Sequence, residues 1–354
     1  MNQAVYKMPA PGGIHRPPDF TRKCDIAVYP GDTSGCGWYR MMIPATMMQT
    51  TGTVPVVNVS PLFSYDAASL TSRGNKVTVV QRQVEPIQRE HIEAQQKLGI
   101  KVIHDLDDYL WETPLYNPYR RAFNSQRRKA LDWAIRNADV LTVSTLPLAD
   151  AVRSRSRRDV VVIPNVLLPD IYRQPQSRPA GKKLRVGWSG SNSHDYDLSR
   201  ITEVVKRTKD RVQWVFMGYV PPSLEKLVEF HQAVPVVHYA VALANLRLDV
   251  AVAPLAVNFF NECKSNLKLI EFGALGIPVI TSSVYPYQDN PGIQIDNHAK
   301  EWKEWEKAII AYDEDENLRF QHAVKTNMYA ASFATIRHEH IQRIRHTWWE
   351  QFNF

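Results

Sequence analysis

Short apolar runs alternate along the chain with amphipathic stretches, and this alternation predicts buried strands separated by helices. The segment 248–287 shows the pattern most completely. Leu248–Leu255 predicts a buried strand, a polar loop follows, Lys264–Gly276 has helical spacing, and Ile277–Ser282 predicts the next strand. This order predicts one β-loop-α-β unit, the building block of a parallel sheet.

The first half of the chain predicts a parallel sheet of the same kind. Its first predicted strand, Asp25–Tyr29, precedes a glycine-containing loop and a helix from about Trp38. The strands predicted after it are Val54–Val59, Val77–Gln81, Lys101–Asp105, Val140–Ser144 and Val160–Pro164, and the helices are Gln88–Leu98 and a stretch near Arg121–Asn137. Strands and helices that alternate in this way favour a Rossmann-like domain.

The segment Leu168–Lys183 combines Pro, Gly, Arg and Gln without periodicity and predicts a linker between two domains. Beyond it, the predicted strands are Leu184–Ser189, Val212–Met217 and Val234–His238. One helix is predicted after Asp195, and four others span Ser223–Phe230, Lys300–Asp313, Glu316–Phe333 and Ile336–Gln351. We therefore predict an N-terminal Rossmann-like domain over residues 1–175, with 1–22 as a flexible tail, and a C-terminal one over 176–335. Residues 336–354 are predicted to form a last helix.

The helix predicted from Lys264 offers an anion-binding site at its start. Lys264, Ser265 and Asn266 place free backbone N–H groups and the positive end of the helix dipole, roughly half a charge, beside the preceding loop. Lys264, Lys268 and Glu271 are spaced i, i+4 and i+7 and share one stripe. The stripe offers two cations for a diphosphate and one carboxylate for ribose hydroxyls. A solvated helix face with ordinary ion pairs is the alternative.

The same segment resembles the donor-binding segment of GT-B glycosyltransferases, specifically the large, mostly retaining group 4-like family. The shared pattern is Asp-x-x-x-x-Pro-Leu, then Asn-x-x-Lys-Ser-x-x-Lys-x-x-Glu, then Gly-x-Pro-Val-Ile, and it falls on Asp249, Pro254, Asn261, Lys264, Ser265, Lys268, Glu271, Gly276 and Pro278. The resemblance implies an α/β fold of two Rossmann-like domains whose parallel sheets face an interdomain cleft. It also implies that the helix start holds a nucleotide diphosphate and that Glu271 holds the ribose.

Two further expectations come from the resemblance. Many members have a second Glu near the sugar, eight residues before the ribose Glu; that position here is Cys263, and Glu262 stands beside it as a candidate donor contact. In GT-B folds a C-terminal helix crosses back to the first domain, and the cluster Trp348, Trp349 and Phe352 would suit that docking.

Glycine-containing loops follow the first predicted strand of each half. Gly35 and Gly37 permit a tight backbone path beside a ligand, and Gly-Cys-Gly-x-Tyr-Arg resembles the cleft loop of a bacterial and phage subset of these enzymes. Arg40 could contact a donor phosphate or an acidic acceptor, or form an ordinary surface ion pair. Gly190 and Ser191 are candidate backbone contacts for the donor, as the resemblance implies. His194 is an acceptor-side candidate, with a local helix-capping role as the alternative.

An acidic cluster, His104-Asp105-Leu-Asp107-Asp108, follows a predicted strand. Asp-x-Asp spacing is what GT-A enzymes use to hold a divalent cation, but those folds lack a second domain. At a strand end of an open α/β sheet the cluster would instead face the cleft. Asp107 or Asp108 could then orient an acceptor hydroxyl or act as its base, with His104 and Asp105 on the acceptor side. Capping the next helix is the alternative.

Composition and charge limit the remaining classes. The 354 residues suffice for two α/β domains, and 44% apolar with 22% charged residues is typical of a soluble globular protein. No stretch has the length of a membrane span and the N-terminus lacks a signal-peptide core, so we expect a cytoplasmic protein, with peripheral membrane attachment left open. Three cysteines without Cys-x-x-Cys spacing predict reduced thiols.

The net charge of +7 is concentrated in one segment. Between Arg120 and Asp159 ten basic residues stand against four acidic ones, and such a patch attracts polyanions. The basic segment 120–158 therefore predicts an anionic acceptor or surface, either membrane lipid or DNA. A solvated arginine-rich face is the alternative.

The sequence thus predicts a glycosyltransferase that uses a nucleotide-sugar donor, retains configuration and needs neither metal nor other cofactor. By family default the acceptor is a saccharide or lipid carrier. One rival is a phage-type DNA glycosyltransferase acting on a hydroxymethylated base extruded from the duplex. Another is a non-catalytic nucleotide- or polyanion-binding protein of the same fold, which the missing second Glu favours. A nicotinamide oxidoreductase is disfavoured because the fingerprint glycines and acidic residue are not both present.

Overall fold

The computed structural model describes residues 23–50, 56–59, 74–82, 84–172, 183–333 and 338–354. The tail predicted at 1–22 and most of the predicted linker lie outside the described residues.

Twelve strands of the described residues form two six-stranded sheets in which every pairing is parallel. The N-terminal sheet contains β1 (Ile26–Tyr29), β2 (Val57–Val59), β3 (Val77–Gln81), β4 (Lys101–Leu106), β5 (Val140–Val143) and β6 (Val161–Val162). The C-terminal sheet contains β7 (Arg185–Ser189), β8 (Gln213–Met217), β9 (Glu229–His231), β10 (Val250–Ala253), β11 (Val279–Ser282) and β12 (Ile293–Ile295). The predicted α/β class with two parallel sheets is confirmed.

The central strands are apolar on both faces because helices cover both sides of each sheet. Every residue of β1, β3, β10 and β11 is buried. The helices are α1 (Gly35–Gly37), α2 (Ile43–Thr50), α3 (Ile87–Lys97), α4 (Ser125–Asn137), α5 (Leu146–Ser156), α6 (Asp195–Thr208), α7 (Val236–Asn245), α8 (Phe259–Glu262), α9 (Leu267–Ala274), α10 (Trp302–Glu314), α11 (Glu316–Ala331) and α12 (His338–Trp348). A π-helical turn, Trp38–Met42, joins α1 to α2.

The strand order creates one topological switch point in each sheet. The N-terminal order is β2-β1-β3-β4-β5-β6 and the C-terminal order is β12-β11-β10-β7-β8-β9. In the N-terminal sheet, the chain passes from β1 to β2 on one side and from β3 to β4 on the other, so the switch point lies between β1 and β3. In the C-terminal sheet, it passes from β7 to β8 on one side and from β10 to β11 on the other, so the switch point lies between β7 and β10. Ligands of open α/β sheets bind at the carboxyl ends of strands at such points.

Two predicted elements are wrong, and both lie between β8 and β10. The helix predicted at Ser223–Phe230 is a series of turns that ends in the edge strand β9. The strand predicted at Val234–His238 is the start of α7. Its valines suggested a strand, but the buried positions Ala240, Leu243 and Ala244 follow helical spacing, which continues beyond the predicted window. The helix α5 and the edge strand β12 were not predicted.

The C-terminal helix α12 packs against α2 of the N-terminal unit. Ile344 and Trp348 are buried in the same hydrophobic cluster as Met47 and Met48 of α2. The ammonium of Lys76 lies 5.7 Å from the ring centroid of Trp349 and 5.4 Å from that of Phe354. The end of the chain thus covers the unit that contains its beginning. Among the described residues, no helix combines the length and apolarity needed to cross a bilayer.

Candidate functional site

A cavity of about 520 Å³ lies where the two switch points face each other. The N-terminal unit contributes the loop after β1, the π-helical turn and the loop after β4, and the C-terminal unit contributes the loop after β7 and the segment that leads into α9. Eleven of the residues predicted from sequence line it: Gly35, Arg40, Asp107, Asp108, Gly190, Ser191, His194, Lys264, Ser265, Lys268 and Glu271. The five other predicted site residues, Gly37, His104, Asp105, Glu262 and Asn266, do not line it.

The end of the cavity that the sequence predicts to bind an anion forms where the two short helices α8 and α9 meet. The helix α9 begins at Leu267, three residues later than predicted, because Lys264, Ser265 and Asn266 connect α8 to α9. Ser265 lines the cavity, whereas the amide of Asn266 donates to the Tyr329 hydroxyl at 2.9 Å. Lys264, Ser265, Leu267 and Lys268 thus line the wall at the start of α9, where the first N–H groups of a helix have no partner within the helix.

Lys268 is held at this wall by the backbone beneath it. Its Nζ donates to the carbonyl of Ser189 at 2.5 Å and lies 5.0 Å from the centroid of the Trp188 ring. Burial lowers its pKa to about 8, with Lys264 lowering it further and Glu271 opposing the shift. Lys268 is thus a cation at neutral pH that sits close to deprotonation.

Glycine at position 190 is required by the packing of the buried Trp188 ring, with the Lys268 ammonium beside it. A Cβ at Gly190 would lie 2.8 Å from Lys268 Nζ and 2.6 Å from the Trp188 ring, closer than side-chain carbons approach. The N–H of Gly190 donates to the carbonyl of Met217 at 3.0 Å, which fixes the loop after β7. Gly35 has open space around it, whereas a Cβ at Gly37 would lie 1.9 Å from the carbonyl oxygen of Asp32.

Glu271 lies at the deep end of the cavity and bonds to tyrosines from both units. The Tyr39 hydroxyl donates to its Oε1 in a short hydrogen bond, and the Tyr239 hydroxyl donates to its Oε2 at 3.3 Å. Tyr172 and Tyr39 share a hydrogen bond of 2.7 Å between their hydroxyls. Burial raises the pKa of Glu271, although Tyr39 and Lys268 oppose that rise. Each oxygen of this carboxylate thus accepts one hydrogen bond from a tyrosine hydroxyl and has a second lone pair that can accept another.

Sequence reasoning missed the three tyrosines. Tyr39 stands in the glycine-loop motif but was not assigned a role, and Tyr239 lies on the helix α7 that was predicted as a strand. Tyr172 lies within the segment Leu168–Lys183 that was predicted as a linker. Only the approach of the two units brings the three together.

Arg40 forms a buried ion pair rather than an open phosphate contact. Its Nε and Nη2 donate to both carboxylate oxygens of Asp105, at 3.0 and 2.6 Å, and the two side chains are 2% and 1% exposed. Its Nη1 donates to the carbonyl of Ile163 and to the Asn165 side-chain oxygen. The Asn165 amide donates to the Ser265 hydroxyl at 2.9 Å. These hydrogen bonds link the core of the N-terminal unit to the cavity wall that contains Ser265.

His104 and Asp105 lie inside β4 and are almost fully buried. Asp105 also accepts a hydrogen bond of 2.6 Å from Thr142 on the neighbouring strand. Asp105 therefore holds the Arg40 side chain in place. The predicted contact of His104 and Asp105 with the acceptor stays a prediction.

Asp107 and Asp108 face the cavity from the loop after β4. Arg82, which sequence reasoning missed, forms an ion pair with Asp32 and places its Nε 3.4 Å from Asp107 Oδ1. Burial raises the pKa of Asp108 to about 6, and the nearby Asp107 carboxylate adds to the rise. Asp108 is thus a carboxylate at neutral pH whose proton affinity is increased, as a general base requires.

His194 and Asp197 fix the loop that approaches the cavity. Asp197 Oδ2 lies 2.8 Å from His194 Nδ1, and its Oδ1 accepts from the N–H of Ala256 at 2.8 Å and the Asn261 amide at 3.0 Å. Burial lowers the pKa of His194 to about 3, so the imidazole is neutral at neutral pH. His194 lines the cavity while Asp197, buried beneath it, holds the 256–261 loop.

Cys263 occupies the position where the resembling family has its second Glu. Its side chain is fully buried in a hydrophobic cluster with Phe260 and residues of the N-terminal unit such as Leu106. The Thr145 hydroxyl donates to the carbonyl of Cys263 at 2.7 Å. This position therefore serves contact between the units, and Glu262 is half-buried outside the cavity lining.

Among the described residues, no group of three or more His, Cys, Asp or Glu side chains is arranged to hold a metal ion. The predicted independence from metal stays a prediction.

No protein-family model matches the chain, and no curated protein matches it in sequence. Solved structures match it along nearly its whole length. HepE from Anabaena, solved in complex with UDP-glucose, aligns over 92% of this chain and 99% of its own, with 12% identity and a TM-score of 0.66. Sucrose-phosphate synthase from Thermosynechococcus elongatus aligns over 92% of this chain and 98% of its own, with 14% identity and a TM-score of 0.63.

A third similar structure is the lipopolysaccharide outer core galactosyltransferase WaaB in its apo form. It aligns over 92% of this chain and 99% of its own, with 12% identity and a TM-score of 0.58. At such identities the likeness establishes the fold. The predicted GT-B architecture, two Rossmann-like units with parallel sheets, is confirmed.

Proposed function

We propose that the chain is a glycosyltransferase that moves a sugar from a nucleotide-diphosphate donor to an acceptor hydroxyl. The observation that carries the proposal is the convergence of Lys264, Lys268 and Glu271 in one cavity between the units, beside the Gly190 loop. HepE, which shares the fold, was solved with UDP-glucose, so UDP-glucose is the first donor to test. Membership of the group 4-like family, retention of configuration and metal-independent catalysis belong to the same proposal.

The proposed chemistry follows from where charge develops. As the bond between sugar and diphosphate breaks, negative charge grows on the leaving phosphate. Lys264, Lys268 and the first N–H groups of α9 line the wall where that phosphate would lie, and fixed groups of this kind stabilise a transition state without reorganisation. The carboxylate of Glu271 lies farther in and would accept hydrogen bonds from ribose hydroxyls.

The acceptor hydroxyl would approach from the N-terminal wall. In a retaining reaction the departing phosphate takes the acceptor proton on the same face, and Asp107 or Asp108 would orient the acceptor. In an inverting reaction Asp108 would be the base.

The Glu271→Ala variant tests the nucleotide site. We expect the Kd for UDP, measured by isothermal titration calorimetry, to rise about ten- to hundredfold, because hydrogen bonds to a charged group contribute about 1.5–3 kcal/mol. Glu271→Gln, which keeps the shape of the side chain, should give a smaller loss.

The matched control for this test is Glu316→Ala, which removes a side chain that is 90% exposed on α11. It should bind UDP like the wild type. If neither UDP nor any other nucleoside diphosphate binds or stabilises the wild-type protein, the proposed function is wrong; binding without release of a nucleoside diphosphate from any nucleotide sugar would instead favour a non-catalytic nucleotide-binding protein.

The pKa of Lys268 predicts how nucleotide binding depends on pH. A diphosphate favours the charged lysine, so affinity is full below about pH 8 and falls as pH rises past the pKa of the free protein. We expect the Kd for UDP to rise by up to about tenfold per pH unit between pH 8 and 9.5. Lys268→Arg, which stays charged throughout this range, should remove the dependence. A flat wild-type profile would contradict the assignment of Lys268 to the phosphates.

The basic segment 120–158 bears on the identity of the acceptor. Six of the ten basic side chains in the segment 120–158 bond to groups of the protein itself: Arg120, Arg127, Arg136, Arg153, Arg155 and Arg158. This favours a saccharide or lipid-carrier acceptor over DNA, because binding a duplex needs arginines free to pair with phosphates.

A further inference from the structure

A second cavity, of about 470 Å³, lies on the outer side of α6, away from the sheet. One wall is a stripe of α6 whose members are spaced i, i+3, i+4 and i+7: Tyr196, Ser199, Arg200 and Glu203. The other wall is the segment from Asn297 to Trp302 that leads from β12 into α10. The volume is within the range of small-ligand sites, about 300–1,000 Å³.

Three residues of this cavity carry polar atoms that lack partners. Glu301 Oε1 accepts from Arg200, but Glu301 Oε2 and Arg200 Nε are buried without a hydrogen-bond partner. The side chain of Glu301 is only 10% exposed. Both polar atoms of the Asn297 amide are buried and unpartnered as well. Buried polar groups are nearly always satisfied in folded proteins, so this cluster lacks a component that a ligand or water supplies.

The chemistry of the cluster selects a class of ligand. The unpartnered atoms are two kinds of N–H donor and two acceptor oxygens, which suits vicinal hydroxyl groups because each hydroxyl both donates and accepts. Two carboxylates, Glu203 and Glu301, line the cavity against one arginine that is already paired, which disfavours phosphate. Tyr196 is 47% exposed and offers an aromatic ring at the rim. A neutral saccharide meets these conditions.

The cavity adjoins the entrance to the cleft. The Tyr196 ring stacks on that of Tyr116 from the N-terminal unit, with centroids 4.1 Å apart, and the Tyr116 hydroxyl accepts from the Asn258 amide at 2.8 Å. His194, two residues before Tyr196, lines the donor cavity. A glycan reaching the donor cavity could therefore extend across the tyrosine pair to the second cavity.

We propose that this cavity is a saccharide-binding subsite, formed by Asn297, Arg200 and Glu301 with Tyr196 at its rim, that holds a sugar of the acceptor remote from the reacting hydroxyl. The role as an acceptor subsite rests on the proposed function.

The test is saturation-transfer NMR on the full-length protein with maltotriose, cellotriose and mannotriose as probes. We expect transfer to at least one trisaccharide, reduced at least about fivefold in both Asn297→Ala and Tyr196→Ala. Asn297→Ala should keep the wild-type melting temperature, because the amide it removes has no partner in the fold. An asparagine that only supports the structure would lower the melting temperature when replaced.

A control separates this inference from the proposed function. Lys268→Ala, in the donor cavity, should lose UDP-dependent thermal stabilisation and keep the trisaccharide signal. Wild-type stabilisation by UDP without transfer to any of the three sugars overturns the subsite and leaves the proposed function standing. Transfer that persists unchanged in Asn297→Ala also overturns it, since the sugar would then bind at another surface of the protein.

Discussion

Arg40→Met is expected to destabilise the protein by about 3–5 kcal/mol, because removing one partner of a buried ion pair leaves an uncompensated buried charge. Asp105 would keep a hydrogen bond from Thr142 but lose both bonds from the guanidinium. Urea unfolding followed by circular dichroism measures the loss as a shift of the midpoint, provided the slope of the transition is unchanged.

Arg153→Met is the matched control, since it removes an arginine of a surface pair with Asp150 whose side chains are 43% and 75% exposed. Surface pairs typically contribute about 0–1 kcal/mol, so its midpoint should stay close to that of the wild type. Arg40→Lys should lie between, because an ammonium keeps the charge but not the two parallel bonds to Asp105. An Arg40→Met protein as stable as the Arg153→Met control would show that the buried pair of Arg40 and Asp105 does not stabilise the fold.

Loss of the Arg40 side chain should also disturb the cavity between the units, because Asn165 connects the two. Arg40 donates to the Asn165 side chain, whose amide donates to the Ser265 hydroxyl on the proposed phosphate wall of the cavity. Asn165 thus connects the Arg40–Asp105 ion pair of the N-terminal unit to Ser265, which precedes α9 in the C-terminal unit. The bonds to Asp105 and Asn165 explain why Arg40, which was predicted as a donor contact, is almost fully buried.

Local patterns predicted what depends on local spacing. The six strands of the N-terminal sheet and β7, β8, β10 and β11 of the C-terminal sheet follow from side-chain periodicity. So does the common direction of Lys264, Lys268 and Glu271, which all line one cavity. The start of α9 was displaced by three residues because Phe259–Glu262 forms a helix of its own. That helix lies in the segment predicted as a polar loop, where four residues are too few to show a helical period.

What could not be predicted depends on the approach of the two units. The contact of Tyr39 with Glu271 joins residues 232 positions apart, and the packing of Cys263 against the N-terminal unit is also long-range. Arg40 illustrates the same limit, since a charged side chain in a glycine-containing loop is ordinarily exposed. Its burial follows from Asp105, a carboxylate inside a strand that no local pattern pairs with it.

Lys264→Ala is expected to lower the turnover of UDP-glucose, measured as release of UDP, by at least about tenfold and up to about 10³-fold, as with other fixed groups that stabilise a developing anion. Lys264 lines the cavity beside the start of α9, and its Nζ lies 5.1 Å from the centroid of the Phe260 ring. Among the ion pairs of the described residues, none joins Lys264 to a carboxylate. Its charge is therefore available to a leaving phosphate.

The form of the loss distinguishes transition-state stabilisation from binding. If Lys264 acts mainly on the leaving phosphate, kcat falls while the Kd for UDP changes far less, which is the reverse of the result expected for Glu271→Ala. Lys226→Ala, which removes an exposed lysine of the same unit, is the control and should leave both constants unchanged. A Lys264→Ala enzyme with wild-type kcat would remove the cation from the mechanism, because Lys268, held by the Ser189 carbonyl, would then suffice for the charge on the departing diphosphate.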